Sequence, residues 1–190
     1  MAYPGKTDRK AITDAALRIV EREGHEALTL RRVAGETGVT ANAIYRYFAN
    51  RDMLVAATAD AVARRLFIAI EEAMAGLPSD VASEDRVRRL LSVYSAFAEA
   101  NPSLYHTFLS APRDAGALLP EPRYHERLWD QSLSIVSRLV GEDDAPAATV
   151  SLWGLLHGVW ALRQAGVLGG SKPADIAEYA FDTFIKGLTS

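Results

Sequence analysis

Residues Thr29 to Leu54, TLRRVAGETGVTANAIYRYFANRDML, leave the chain the least freedom, because two helix starts and a helix stop are crowded into one short stretch. Thr29 is placed to cap a first helix with its hydroxyl, and Leu30, Val33 and Ala34 then share one face at i, i+3 and i+4. Gly38 is the residue type that tolerates the left-handed conformation closing a helix, so the first helix ends there. Val39 plugs the turn, Thr40 caps a second helix, and Ala43, Ile44, Tyr47 and Phe48 give that helix an apolar stripe. Two helices of about two turns each, joined by a short glycine-bearing turn, make a helix-turn-helix.

The side chains left outside decide the use of such a unit. The second helix turns Ala41, Asn42, Tyr45 and Arg46 away from its packing side, which offers an amide, a guanidinium, a phenol and one small residue for close approach. In a major groove, Arg can meet guanine or phosphate and Asn can meet adenine or phosphate. The plain alternative is a helical hairpin with a solvated face. What sets the stretch apart is the ordered combination of cap, stop, plug and polar face.

The order Thr29, Arg31, Ala34, Gly38-Val39, Ile44-Tyr45-Arg46-Tyr47-Phe48, Asn50-Arg51-Asp52 and Leu54, with Ala11-Ile12, Ala15-Ala16 and Gly24 before it, resembles the DNA-binding head of TetR-type transcriptional regulators. The resemblance implies that Tyr45 and Tyr47 touch DNA, that Arg31 reaches in from the preceding helix, and that Thr29 binds phosphate. Arg51 stands where the family usually has Lys, which keeps a cation for a phosphate but presents it as a fork. With Thr40 at the head of the second helix, the expected DNA-binding set is Thr29, Arg31, Thr40, Ala41, Asn42, Tyr45, Arg46, Tyr47 and Arg51.

Bulk properties agree with an ordinary globular chain. Its 190 residues suffice for one or two compact units, and 49% hydrophobic with 24% charged residues is typical of soluble domains. Absence of cysteine excludes disulfides and thiolate metal sites, and the opening MAYPGKTDRK reads as no signal peptide, so cytoplasmic residence is expected. The net charge of −3 is unevenly spread. Residues 1–54 hold nine Lys or Arg against seven Asp or Glu, and the rest holds twelve against seventeen. A mildly basic head on an acidic body suits local phosphate binding, although the imbalance alone would not establish it.

Lys6, Arg9 and Lys10 read as a basic arm within reach of phosphates or, equally, as a solvated terminus. A first helix from about Thr7 to Glu23 buries Ile12, Ala15, Ala16, Ile19 and Val20, and Gly24 ends it. Asn50 caps a long helix running to about Ala75, roughly 40 Å at 1.5 Å per residue, which links the head to the body as a lever. Further helices are expected over residues 84–100, after Asn101-Pro102, and over 123–140, with a loop at Pro112 to Pro122 where three prolines and a glycine oppose regular structure. The expected fold is all-α with about nine helices: a helix-turn-helix domain over residues 1–54, and a helical effector-binding and dimerisation domain over residues 55–190.

Residues Ala145 to Leu162 carry no formal charge, which raises the question of a membrane. Pro146, Thr149, Ser151, His157 and two glycines make a poor spanning helix, so burial within a soluble protein is the better reading and no membrane partner is expected. Trp153, His157, Trp160 and Gln164 share one face, while Gly154, Gly158, Ala161 and Ala165 lie about 100° round and permit close approach by another helix. Burial on two sides points to the domain core and to a second copy of the chain. The run Leu152-Trp153-Gly154 to His157-Gly158 also resembles the Trp and His-Gly signature of one TetR subgroup. In the wider family the last two helices form a four-helix dimer interface, here residues 145–168 and 174–188, the latter with Ile176, Tyr179, Ala180, Thr183, Phe184 and Leu188. Two heads related by a two-fold axis would read an inverted repeat in double-stranded DNA.

Phe67, Tyr94, Phe97, Tyr105, Phe108, Trp129, Trp153, His157 and Trp160 are candidate lining for an apolar effector pocket, and equally candidate core. The expected function is a homodimeric repressor released from its operator by a small apolar ligand of unknown identity. Two rival classes stay open. One is a helical adaptor acting by protein contacts. The other is an enzyme, against which His25, His106, His125 and His157 show no metalloprotease spacing, GVLGGSK lacks the phosphate-loop order, and no serine sits in G-x-S-x-G. Neither a metal site nor a cofactor is expected.

Overall fold

A computed structural model describes residues 7–167 and 173–188. All regular structure among them is helical. The helices are α1 (Arg9–Glu23), α2 (Leu30–Thr37), α3 (Ala41–Tyr45), α4 (Arg51–Ala75), α5 (Ser83–Ala100), α6 (Pro102–Ser110), α7 (Arg113–Ala117), α8 (Tyr124–Val140), α9 (Ala145–Gln164) and α10 (Pro173–Leu188), with a 3-10 turn over His25–Ala27. The all-α expectation holds. The tenth helix is α7, which falls inside the expected loop. Its prolines bracket it: Pro112 precedes the first turn, while Pro120 and Pro122 follow the last, where no helical N–H is needed. Ala115 and Leu119 bury against Ala56 of α4, with Met53 and Ala57 beside them, so packing holds a helix that local composition disfavours.

Two compact units are present, one formed by Met1–Arg65 with Ala100–His125, the other by Leu66–Glu99 with Glu126–Ser190. The first therefore contains, besides residues 1–54, the opening of α4 together with α6 and α7. Its core begins with the α1 face read from periodicity: Ile12, Ala15, Ala16, Ile19 and Val20 have no accessible surface. Val33 of α2, Ile44 of α3 and Leu54 of α4 complete it, with Leu28 just before α2 and Phe48 in the turn after α3. Burying each such large side chain contributes on the order of 1.5–3 kcal/mol. The start of α8 is tied to α4 twice. Asp60 Oδ1 accepts from both the backbone N–H and the Nδ1 of His125, at 3.1 and 3.0 Å, and the Arg64 guanidinium lies over the Tyr124 ring.

The second unit packs α5, α8, α9 and α10 around Val87, Leu90, Leu91, Tyr94, Leu128, Val136, Leu152, Leu156, Phe181 and Ile185. Arg163 pairs with Glu99, and Arg88 with Asp182. Within a single chain α9 buries one side only, through Ala145, Ala148, Thr149, Leu152 and Leu156. Burial on both sides is thus not met by one copy: Gly154, Gly158 and Ala161 are exposed, as are Val150 at 60% and Leu162 at 45%. The helix is long and apolar enough to cross a membrane by length and composition alone. It ends at Gln164 rather than 168, because Gly166 takes a positive φ of 69° and the Val167 N–H returns to the Leu162 carbonyl. Along α10, Ala177, Phe181 and Ile185 face the core, while Tyr179 stands 76% exposed.

The 3-10 turn is a junction within the first unit. His25 Nδ1 lies 3.1 Å from Thr107 Oγ1 on α6, and that hydroxyl donates to the Ser103 carbonyl at 3.0 Å. The hydroxyl therefore accepts from an Nδ1–H of His25. Burial, then the nearby Arg51 guanidinium and the His106 ring, hold the His25 pKa below its usual 6.5; only Glu26 opposes them. A pKa lower in the folded than in the unfolded chain means the unfolded chain takes the proton more readily. The resulting stability is complete above pH 6.5 and is lost as pH falls below it. Urea midpoints measured at about pH 7.5 and about pH 5.5 should fall less for His25→Gln than for the wild type.

Candidate nucleic-acid interface

The turn between α2 and α3 is built as the residue types dictate. Thr29 Oγ1 accepts from the Arg32 N–H at 3.1 Å, and Thr40 Oγ1 accepts from the Ala43 N–H at 3.3 Å. Gly38 sits at φ 68°, ψ 22°, and the N–H groups of Gly38 and Val39 both return to the Ala34 carbonyl. That left-handed geometry disfavours a Cβ, whatever space surrounds it. Asn50 Oδ1 accepts from the Met53 N–H at 2.9 Å and opens α4.

The second helix of the pair is shorter than its stripe implied. α3 stops at Tyr45, and Tyr47 and Phe48 lie in the turn beyond it, with both N–H groups on the Ile44 carbonyl. Ile44 and Phe48 are fully buried. The opposite side presents Asn42, Tyr45 and Arg46 to solvent, Tyr45 at 53%, with Ala41 half-buried beside them. Thr29, Arg31 and Thr40 are exposed on the neighbouring elements. Each threonine hydroxyl spends a lone pair on its cap and keeps its proton to donate.

Two of the expected residues are engaged differently. Tyr47 is half-buried, and its hydroxyl donates to the Thr7 carbonyl at 2.7 Å. Arg51 is half-buried too, with Nε donating to the Leu28 carbonyl at 2.9 Å. The basic arm is also redrawn. Lys6 lies outside the described residues, Lys10 pairs with Asp14 at 2.6 Å, and Arg9 turns inward onto Tyr47 and Phe48.

Charge counting missed a further division. Glu36 lies 2.8 Å from Arg22, 3.2 Å from Arg32 and 3.7 Å from Arg18, and Glu23 lies 2.6 Å from Arg32. Hydrogen bonding from Arg22, reinforced by Arg32, holds the Glu36 carboxyl down at about 2. Exposed pairs of this kind add little stability. They do occupy three of the head's cations, whereas Arg31 and Arg46 make no hydrogen bond or ion pair with another described residue. Arg32 differs from Arg31 in standing four residues before Glu36 on α2, and its second contact, to Glu23, follows from how α1 meets α2.

The expected effector-binding residues fall into both units. Tyr94, Trp129, Trp153 and His157 cluster in the second, where Trp153 lies 6.2 Å from Tyr94, 5.3 Å edge-on from Trp129 and 6.1 Å from His157, by ring centroids. Phe67, Phe97 and Trp160 belong to the same unit, Phe67 beneath the Arg127 guanidinium. Tyr105 and Phe108 do not join them; they pack on each other in the first unit, where α6 meets α1. Trp153 Nε1 and Thr149 Oγ1, one turn apart on α9, are buried without a hydrogen-bond partner among the described residues. Burial also lowers the His157 pKa.

A family model of bacterial regulatory proteins of the tetR family matches residues 12–58, and a tetracycline-repressor-like C-terminal domain model matches residues 87–188. The chain belongs to the TetR family. As a member it is a DNA-binding transcriptional regulator. The match to the C-terminal model does not by itself confirm the Trp and His-Gly subgroup. Among curated TetR-type relatives, the transcriptional regulator BetI of Agrobacterium fabrum is 26% identical over 185 residues, covering 94% of this chain and 88% of BetI. A Rhodococcus protein of unknown function has the same fold at a TM-score of 0.75, with 26% identity and full coverage of both chains. BioQ, solved with its double-stranded DNA operator, matches at a TM-score of 0.71 and 18% identity over 97% of this chain and 99% of that one.

Two glycines of α2 and its end should respond oppositely to a methyl group. Gly38→Ala forces a Cβ into the left-handed region and should destabilise the protein by roughly 1–2 kcal/mol. Gly35→Ala, exposed within α2 with open space around it, should stabilise by roughly 0.5–1 kcal/mol. Urea denaturation of the two variants measures both signs.

Proposed function

We propose that this TetR-family regulator acts as a cytoplasmic homodimeric repressor that grips an inverted-repeat operator with the α2–α3 unit of each copy. The observation carrying the reading is the polar edge of that unit: Asn42, Tyr45 and Arg46 exposed on α3, with Arg31 exposed on α2 and not held by an acid. Asn42 can read adenine bidentately, Arg46 guanine or phosphate, and Arg31, Thr29 and Thr40 supply phosphate contacts. Ala41 leaves room for the backbone. Arg51 keeps its Leu28 bond and offers its remaining N–H groups, while Tyr47 contributes its ring edge, since its hydroxyl is committed to Thr7.

Dimerisation uses the exposed face of α9, where Gly154, Gly158 and Ala161 allow close approach, together with Tyr179 and its neighbours on α10. BioQ, whose fold this chain shares, has been solved on its DNA operator, which supports the docking mode. The effector site proposed is the Tyr94, Trp129, Trp153 and His157 cluster, for a small, mainly apolar ligand with one hydrogen-bonding group to meet the unpaired Trp153 and Thr149 atoms. Such a ligand releases the operator if it favours the non-binding arrangement by roughly 1–3 kcal/mol.

Selection of genomic fragments on purified protein should return an inverted repeat. On that operator, Asn42→Ala and Arg46→Ala should each weaken binding by roughly 1–3 kcal/mol with the dimer intact by sedimentation. Wild-type affinity for both variants would instead favour an adaptor that works through protein contacts. Arg31→Ala should also lower the slope of log affinity against log salt by about 1, while Arg22→Ala, whose charge Glu36 already takes, should leave that slope in place.

A further inference from the structure

The turn after α3 is held by two hydrogen bonds that run in opposite directions between the same two short segments. Arg9 Nη2 donates to the Tyr47 carbonyl at 2.7 Å, and the Tyr47 hydroxyl donates to the Thr7 carbonyl at 2.7 Å. The Arg9 guanidinium also lies 4.6 Å from the centroid of the Phe48 ring, and Phe48 itself has no accessible surface. Asp8, between the two bonded residues, caps α1 by accepting from the Ala11 N–H, so the segment making these bonds is fixed to the helix that opens the head's core.

A five-residue helix has too few internal bonds to hold its own direction, because nucleation outweighs the gain from so short a run. Its last carbonyls lack helical partners. In the turn just past its end, the Tyr47 carbonyl receives a cationic donor, a bond shorter and stronger than a neutral one. Tyr45 and Arg46, both exposed on the polar edge, directly precede that clamp. The guanidinium is sandwiched against Phe48 and its Nη1 is buried without a hydrogen-bond partner among the described residues, so this cation is not displayed to solvent as a phosphate ligand would be.

We propose that Arg9 is a positioning residue for operator recognition, acting with the Tyr47 hydroxyl as a two-bond staple that sets the direction in which Tyr45 and Arg46 leave α3. The inference rests on the reading that α3 meets the DNA. A displaced α3 costs base contacts that a specific site needs, whereas loose phosphate attraction tolerates it. Loss of the staple therefore shows in the ratio of specific to non-specific affinity. A phosphate ligand would show in both.

The test uses the full chain, the selected operator duplex and a scrambled duplex of the same length, each titrated over a range of salt. Arg9→Gln and Tyr47→Phe should each lower operator affinity about tenfold while lowering the operator-to-scrambled ratio by the same factor. The double variant should be no weaker than the weaker single one, since both changes open one junction. Arg9→Lys should restore part of the ratio, because an ammonium can reach the carbonyl without the planar stacking on Phe48. Equal losses on both duplexes with a salt slope lower by about 1 would make Arg9 a phosphate contact and overturn the proposal. So would a loss confined to the active fraction, with the affinity of the active molecules unchanged, which marks a merely structural role. Tyr47→Phe removes a single oxygen and keeps the question answerable if Arg9→Gln fails to fold. Asn42→Ala in the same titrations separates the levels: no effect sinks the reading of α3, whereas a loss there with none for Arg9 and Tyr47 sinks the staple alone.

Discussion

A five-residue helix cannot stand by itself, and the head of this protein is arranged around that fact. Ile44 and Phe48 sink completely into the core laid down by α1 and α2, and this fixes which side of α3 turns inward. Caps from Thr29, Thr40 and Asn50 start the three successive helices with one side-chain oxygen each. Gly38 turns the chain where a β-carbon would oppose the turn. Rigidity is thus supplied by neighbours, and the exposed residues of α3 inherit it.

Electrostatics follow the same division of labour. A count of charges gives the head a small positive excess, too small to explain attraction to a polyanion. Once Glu23 and Glu36 take up Arg18, Arg22 and Arg32, the bases divide into cations that join α1 to α2 and cations left toward solvent. The exposed ones, Arg31 and Arg46, lie on the helix-turn-helix itself. Placement, and not net charge, makes the surface fit for phosphate.

What the sequence disclosed and what it withheld separate along the range of the interactions involved. Caps, the glycine stop and the α1 stripe are set within four residues, and their reading from Thr29, Gly38, Asn50 and Ile12 to Val20 survives in the structure. α7 escaped because its stability comes from Ala56 and Leu119, which a proline count does not include. Periodicity extends α3 too far because Tyr47 and Phe48 keep helical spacing although their chain has already turned. Arg9 read as a free cation because its partner is 38 residues away. Residue type alone groups Tyr105 and Phe108 with Trp153, whereas α6 packs with α1 in the other unit.

The second unit poses the complementary problem. α9 carries an uncharged run whose inner side meets the core and whose outer side, with Gly154, Gly158, Ala161, Val150 and Leu162, lies open in one chain. Large exposed apolar surface is unfavourable in water and calls for a cover. Covering it with an identical helix needs no additional gene product and brings in a two-fold axis, since a self-complementary patch pairs only with its own rotation. That axis is what a short reading helix lacks on its own. A single α3 spans too few base pairs to select a site, whereas two held by one axis multiply their selectivity and fix the spacing between half-sites. On the proposed reading, the apolar face of α9 and the polar edge of α3 therefore answer the same requirement.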